Sequence, residues 1–317
     1  MNLSPTAAGA RVAAFGEYQP GNVVTNDDLA ARVDTTDEWI RSRVGIEERR
    51  VAGGDETVVS MAVAAGGKAL AAGGVSPDEI DLVIVATCTV TDQIPNAAAS
   101  VATRLGINAP GAFDLNAACA GFCYALNVAA DSVRSGSARN VLVVGSEKMS
   151  EWVDWDDRST CVIFADGAGA AVVTPAEAPG IGPVVWGSAG DGADTIYLRE
   201  NKYLYQEGQA VFRWTTTELY PVALQALERA GVSATELTAF VPHQANLRIV
   251  EAIARKLGAP QALIARDIVT AGNTSSASIP LAISRMSGRG ELPSGSTVLT
   301  LGFGAGLTYA AQVLRIP

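Results

Sequence analysis

The segment Gly74-Val75-Ser76-Pro77-Asp78-Glu79-Ile80 returns 157 residues later (231 − 74) as Gly231-Val232-Ser233-Ala234-Thr235-Glu236-Leu237. Each copy follows an Ala/Leu-rich helical stretch and precedes an apolar strand-like run. The order of what comes next also repeats. A helix closes on Arg104-Leu105-Gly106 in one part and on Lys256-Leu257-Gly258 in the other. Then come a strand, a turn of small residues and another helix (114–135 against 267–287), and a last strand, 140–145 against 297–301. A seven-residue segment with four identities can arise by chance; the same order of four elements is far harder to reach that way. A chain built twice packs its sheets about a pseudo-two-fold axis and brings equivalent strand ends to a shared centre. The expected division is 1–174 and 175–317, with Gly and Pro concentrated in 175–192 as a linker.

Short β-rich runs alternate with Ala-rich helical stretches, the pattern of an α/β protein. Strands are expected at 81–89, 113–116, 140–145, 161–164, 170–174, 238–241, 264–268, 297–301 and 308–314, and helices at 57–72, 96–105, 121–135, 217–230, 247–257 and 279–287. With 317 residues, 48% hydrophobic and 18% charged, the chain can bury a large core without disulfides, which excludes disorder and small cystine scaffolds. Its longest apolar run, 117–126, is short of the roughly 18 residues that cross a bilayer. Residues 1–10 lack the basic-then-apolar pattern of a signal peptide, so the expected location is the cytoplasm. A net charge of −10 argues against nucleic-acid binding, which needs a basic face. One histidine and four cysteines without CxxC spacing speak against a zinc site, and no metal or other cofactor is expected.

Three segments carry chemically capable residues where strands run out. In 113–122 a strand ends in small residues and Cys119 opens a long apolar helix. An isolated cysteine is most often a packing residue. Here the helix start is expected to lower the thiol pKa, and it offers free N–H groups to an oxyanion, which favours a nucleophile. Cys123, one turn on, and Cys161, in an expected strand, read as packing, and Cys88 as a minor candidate at a strand end. In 241–246 the only histidine, His243, stands between Pro242 and Gln244 where a strand ends, the place where α/β ligand sites form. In 272–278, Gly272-Asn273-Thr274-Ser275 opens the helix that corresponds to the one behind Cys119; alone it would pass for turn and N-cap chemistry. Cys119, His243 and Asn273 together suggest covalent acyl chemistry. Papain-like proteases use the same order, but their local cysteine signature is missing here and their fold has no such repeat.

The segments Ala117-Ala118-Cys119-Ala120-Gly121-Phe122, Val241-Pro242-His243-Gln244-Ala245-Asn246 and Gly272-Asn273-Thr274-Ser275 resemble β-ketoacyl-[acyl-carrier-protein] synthase III, of the thiolase-fold superfamily. The resemblance extends through Asp37-Glu38-Trp39-Ile40, Arg43, Gly45-Ile46, Asp157-Arg158, 164–170 and Phe303-Gly304-Ala305-Gly306. It implies two related α/β halves in layered α-β-α-β-α order with pseudo-two-fold symmetry. It also implies a decarboxylative Claisen condensation that initiates fatty-acid synthesis. Cys119 takes the acyl group of an acyl-CoA, malonyl-acyl-carrier protein loses carbon dioxide, and His243 and Asn273 donate to the enolate oxygen. Decarboxylation itself makes the carbon nucleophile, so no strong base is required. The oxyanion turn is Gly304, Ala305 and Gly306, with Ala305 where many members have glycine.

By the same resemblance, Trp39 and Arg158 hold the CoA adenine, Arg43 lies near the phosphates, and Gly208, Phe212 and Asn246 line the pantetheine tunnel. Arg248, Arg255 and Lys256 are expected to dock the acidic carrier protein, against the alternative of solvated helix charges. Ile94, Met149 and Phe164 are expected in the acyl pocket, Ile94 on the loop 91–96 that a partner subunit contributes in a homodimer. Some acetyl-using relatives have Phe before the corresponding proline, so Ile94 suggests branched primers. The alternatives are a priming ketosynthase or acyltransferase of secondary (polyketide) metabolism, and a non-catalytic carrier-binding homologue. Plant-type polyketide synthases run longer than this chain.

Overall fold

A computed structural model describes residues 7–92, 94–200 and 202–317. The chain begins with β1 (Gly9–Tyr18) and a ribbon of β2 (Val23–Thr25) with β3 (Glu48–Arg50), between which lie α1 (Asn26–Ala30) and α2 (Asp37–Val44). Next come α3 (Val58–Gly73), β4 (Leu82–Ala86), α4 (Ala97–Arg104), β5 (Gly111–Leu115), α5 (Gly121–Arg134), β6 (Val141–Lys148) and β7 (Asp166–Ala176). Then follow β8 (Val185–Gly187), the hairpin β9 (Ile196–Arg199) and β10 (Tyr203–Gln206), α6 (Gly208–Ala230), β11 (Ala239–Pro242) and α7 (Leu247–Lys256). The chain ends with β12 (Leu263–Ile264), α8 (Ile268–Ala271), α9 (Ser278–Gly288), β13 (Thr297–Gly304) and β14 (Thr308–Arg315).

The strands form two five-stranded sheets of the same topology, β1-β7-β6-β4-β5 and β8-β14-β13-β11-β12. The offset of 157 holds strand by strand: Leu82 pairs with Val141 in one sheet, and Ala239 pairs with Val298 in the other. It holds at the punctuation too. Gly74 and Gly231 end α3 and α6 in the left-handed conformation (φ 61° and 65°), where only glycine is free of strain. Ser76 with Glu79, and Ser233 with Glu236, then form matching capping boxes. The repeat extends further than the sequence reading reached, since β1, β7, β8 and β14 also correspond.

Helices α5 and α9 lie between the sheets. Phe122, Leu126, Ile279 and Ile283 meet Ile84, Val143, Val241 and Val298 there. Outside the first sheet, Met61, Ala65 and Val101 of α3 and α4 cover Val83 and Val144. Outside the second, Leu219, Leu227 and Ile253 of α6 and α7 cover Phe240 and Leu299. The expected helix–sheet–helix–sheet–helix layering is therefore present. Because both faces of β4, β6 and β11 are covered, these strands read as unbroken apolar runs in sequence.

Three expectations need correction. Residues 161–163 are turns rather than a strand, with one bridge from Phe164 to Asn273, so Cys161 is buried in a loop. The strand expected over 264–268 ends at Ile264, and Ile268 opens α8. The expected linker 175–192 contains the end of β7 and all of β8, the edge strand of the second sheet. Residues 1–6, and Gln93 of the loop 91–96, lie outside the described residues. Among the described residues no helix is long and apolar enough to cross a membrane.

Candidate active site

At the axis between the sheets, the short 3-10 turns Ala118–Ala120 and Ser275–Ala277 precede α5 and α9. They are equivalent at the same offset. Asn116 accepts from the Ala118 N–H at 3.1 Å, and Asn273 accepts from the Ser275 N–H at 2.9 Å. Ala118 and Ser275 both take the left-handed conformation, with φ of 46° and 51°. For non-glycine residues this costs of order 1–3 kcal/mol each, the kind of strain that collects at functional sites. Cys119 thus stands opposite Ser276 in the symmetry, and Asn273 opposite Asn116.

Cys119, His243 and Asn273 line one cavity of about 930 Å³. Cys119 faces Gly304 at the end of β13. A Cβ added to Gly304 would lie 2.9 Å from the Cys119 nitrogen and 3.2 Å from its sulfur, so the thiol occupies the space that glycine leaves. Ala305 begins a 3-10 turn and also lines the cavity. The first N–H groups of such turns have no partner within the turn, which leaves the Cys119 and Ala305 amides free to face a ligand oxygen. Asn273 is held through its backbone, donating to Ile163 O at 3.0 Å and accepting from Ala165 N at 2.9 Å. Its Oδ1 serves Ser275; among the described residues no hydrogen bond uses its Nδ2.

His243 is buried and Cys119 half-buried, and both are held in neutral form. Burial pushes the Cys119 thiol up to about 12, while the Ser275 hydroxyl acts in the opposite direction. That reverses the lowered value expected from the helix start: the 3-10 turn sets Cys119 two residues ahead of α5, inside the protein, where desolvation outweighs the dipole. Burial also holds His243 down at about 3, so the imidazole is uncharged at neutral pH. The ring is packed edge-on against Phe303, with centroids 5.2 Å apart and planes at 72°.

The residues expected to meet CoA share this cavity. Arg158 lies over Trp39, its guanidinium carbon 4.8 Å from the ring centroid, so an adenine would enter between two groups already in contact. Arg43, Phe212 and Arg248 line the same cavity, with Arg248 5.3 Å above the Phe212 ring. Asn246 caps α7, accepting from Arg248 N at 2.9 Å and donating to Arg43 O at 3.1 Å. A Cβ on Gly208 would meet nothing within 4 Å, so packing does not call for glycine there. Met149 and Phe164 line the cavity; Ile94, Gly306, Arg255 and Lys256 do not. Ile94 is 92% exposed, and Lys256 is tied to Thr216 O at 2.5 Å and to the face of Tyr220.

Several participants escaped the sequence reading or stood low in it. Cys88, a minor candidate there, lines the cavity beside Ser275, as do Arg213 and the apolar wall of Ile196, Leu198 and Leu204. Glu147 is fully buried and ties the segment after β4 to the turn Ser275–Ala277. It accepts from Thr89 Oγ1 at 2.6 Å and Cys88 N at 3.1 Å on one side, and from Ser275 Oγ at 3.0 Å and Ser276 Oγ at 2.8 Å on the other. Glu147 is 157 residues before Gly304, so the offset alone marks it as the counterpart of the residue facing Cys119. Among the described residues no group of three or more His, Cys, Asp or Glu side chains is placed to hold a metal.

Fold and site together define an acyl-transferring condensing enzyme. The profile of 3-oxoacyl-[acyl-carrier-protein (ACP)] synthase III matches residues 113–202, and that of its C-terminal part matches residues 227–316. The chain is 55% identical to beta-ketoacyl-[acyl-carrier-protein] synthase III 4 of Streptomyces coelicolor, over 98% of this chain and 99% of the relative. Among solved structures, the priming beta-ketosynthase of the R1128 polyketide biosynthetic pathway superimposes with a TM-score of 0.97 at 45% identity, covering 100% of this chain and 98% of that one. 3-Oxoacyl-[acyl-carrier-protein] synthase III of Aquifex aeolicus VF5 gives 0.93 at 42% identity, covering 97% and 100%. The chain belongs to the 3-oxoacyl-[acyl-carrier-protein] synthase III family.

A thiol with a pKa near 12 has a thiolate fraction that grows tenfold per pH unit up to that value. Iodoacetamide labelling of Cys119, followed by peptide mass, is therefore expected to keep accelerating by about tenfold per unit through pH 9 and 10. A rate that levels off by about pH 9, as for an ordinary cysteine, would contradict the burial argument.

Proposed function

We propose that this chain condenses an acyl-CoA primer with malonyl-acyl-carrier protein, initiating fatty-acid synthesis in the cytoplasm, with Cys119, His243 and Asn273 as the reacting set. The observation that carries this reading is the meeting of these three residues in one cavity that Trp39, Arg43 and Arg158 also line. Cys119 Sγ attacks the thioester carbonyl, and the Cys119 and Ala305 amides hold the oxyanion. The C–S bond of the thioester breaks, and the CoA sulfur leaves with the proton that the Cys119 thiol gives up. In the second stage the malonyl C–C bond breaks, carbon dioxide departs, and the electron pair moves to the thioester oxygen as an enolate. His243 and Asn273 donate to that oxygen. The enolate carbon attacks the acyl-cysteine carbonyl, and Cys119 is released as a thiol once it takes up a proton.

The electrostatics support this division. A neutral imidazole with a pKa near 3 is a poor acid and a poor base but a good fixed donor. His243→Ala is therefore expected to lower malonyl decarboxylation by at least about a hundredfold, the loss typical of an oxyanion donor. Acylation of Cys119 should stay within a few-fold of wild type. Equal loss in both half-reactions, measured by carbon dioxide release and by adduct mass, would overturn the assignment.

Carrier docking fits Arg248 best, because it is exposed and lines the cavity, while Arg255 lies further along α7 and Lys256 is engaged by its own neighbours. Ile94 lies outside the cavity of its own chain and is almost fully exposed, which supports a homodimer in which this loop closes the partner's acyl pocket. An aliphatic residue there, with Met149 and Phe164 inside, favours short branched primers. Isobutyryl-CoA is expected to match or exceed acetyl-CoA in kcat/KM, and a tenfold advantage for acetyl-CoA would refute the assignment. A second reading, the priming of a polyketide chain, is favoured by the 0.97 TM-score to a priming ketosynthase. Competition between malonyl-loaded carrier proteins of the two kinds separates these readings.

A further inference from the structure

Two hydrogen bonds meet at one hydroxyl beneath the cavity. Ser278 Oγ lies 2.7 Å from His243 Nδ1 and accepts from the backbone N–H of Gln244 at 3.3 Å. Both side chains are buried, and among the described residues Ser278 Oγ makes no other hydrogen bond. A hydroxyl has one proton to give and lone pairs to receive with, whereas a backbone N–H can only donate. Gln244 therefore occupies a lone pair, and the one acceptor left for the Ser278 proton is Nδ1. A neutral imidazole that accepts at Nδ1 carries its own proton on Nε2.

We propose that Ser278 is a positioning residue that holds His243 as the Nε2–H tautomer, so that a donor faces the thioester oxygen. The inference rests on the function proposed above, because only a donor at that nitrogen serves an enolate. The edge-on packing of Phe303 opposes a ring flip that would exchange the two edges. Burial keeps the ring neutral, so the tautomer rather than the charge decides what the cavity meets.

The repeat supplies an internal comparison. At the offset of 157, His243 corresponds to Ala86, and Ser278, the first residue of α9, corresponds to Gly121, the first residue of α5. A Cβ built on Gly121 would lie 3.3 Å from Ala86 Cβ, so the same two positions touch in the first half. There the pair is Ala and Gly and carries no polar group. Only where the imidazole stands does the neighbouring position carry a hydroxyl.

His243 is the only histidine in the chain, so selective ¹⁵N-histidine labelling reports this ring alone. At pH 7 the wild-type spectrum is expected to show a protonated Nε2 and an unprotonated Nδ1. In Ser278→Ala an Nδ1–H population should appear, decarboxylation should fall by about tenfold or more, and Cys119 acylation should stay within about twofold. Ser278→Thr, which keeps the hydroxyl, should restore the wild-type spectrum and most of the decarboxylation. A wild-type ring protonated on Nδ1 overturns the proposal whether or not the variants fold. So does a Ser278→Ala protein with an unchanged tautomer and full decarboxylation. If Cys119 takes no acyl group at all, the functional reading fails while the tautomer measurement still stands.

Discussion

Two copies of one strand–turn–helix unit press backbone to backbone across the axis, and everything at the site follows from that contact. A Cβ on Gly302 would lie 3.0 Å from Ala120 Cα, and one on Gly145 would lie 2.5 Å from Ser276 O. Any side chain at either place would force the turns apart. Two residues further along the strands the symmetry is broken. On β13, Gly304 leaves a hollow that the Cys119 sulfur and a ligand can share. On β6, the same hollow beside Ser276 is filled by the Glu147 carboxylate, which draws hydrogen bonds from both halves. The duplicated unit thus yields one open site and one closed by its own side chain. The closed copy serves as the support that places Asn273.

This packing also sets the chemistry. With the imidazole buried and the half-buried thiol enclosed by the cavity wall, charge is expensive, and desolvation holds each in its neutral form. In the proposed reaction, catalysis relies on charge that appears only as the reaction proceeds and on fixed donors: two turn amides for the acyl oxyanion, a ring nitrogen and a side-chain amide for the enolate. The backbone strain at Ala118 and Ser275 falls beside two of these groups, one residue before Cys119 and two after Asn273.

Much of this was legible in the sequence, for physical reasons that differ by element. The covered strands appear as apolar runs and the helices as Ala-rich periodic stretches, and the Gly-Val-Ser punctuation gives the duplication away. Residues 161–163 are equally apolar yet form turns, because a short apolar run does not distinguish a buried strand from a buried loop. β1, rich in Ala and Gly, shows too little contrast to be seen as a strand. The lowered thiol pKa failed as an expectation because a helix start is visible in sequence and the depth of burial is not. Glu147 and Ser278 are common residues whose partners lie dozens of positions away. The repeat offset, applied one residue at a time, could have singled out both.

The claim on which the rest depends is that Cys119, among four free cysteines and with Cys88 in the same cavity, is the acyl acceptor. The most direct measurement is intact-protein and peptide mass after exposure to a panel of acyl-CoAs, for wild type and Cys119→Ser. The account requires a single acyl adduct that maps to Cys119 and is absent from the variant. An adduct on Cys88, or none with any acyl-CoA, would contradict it.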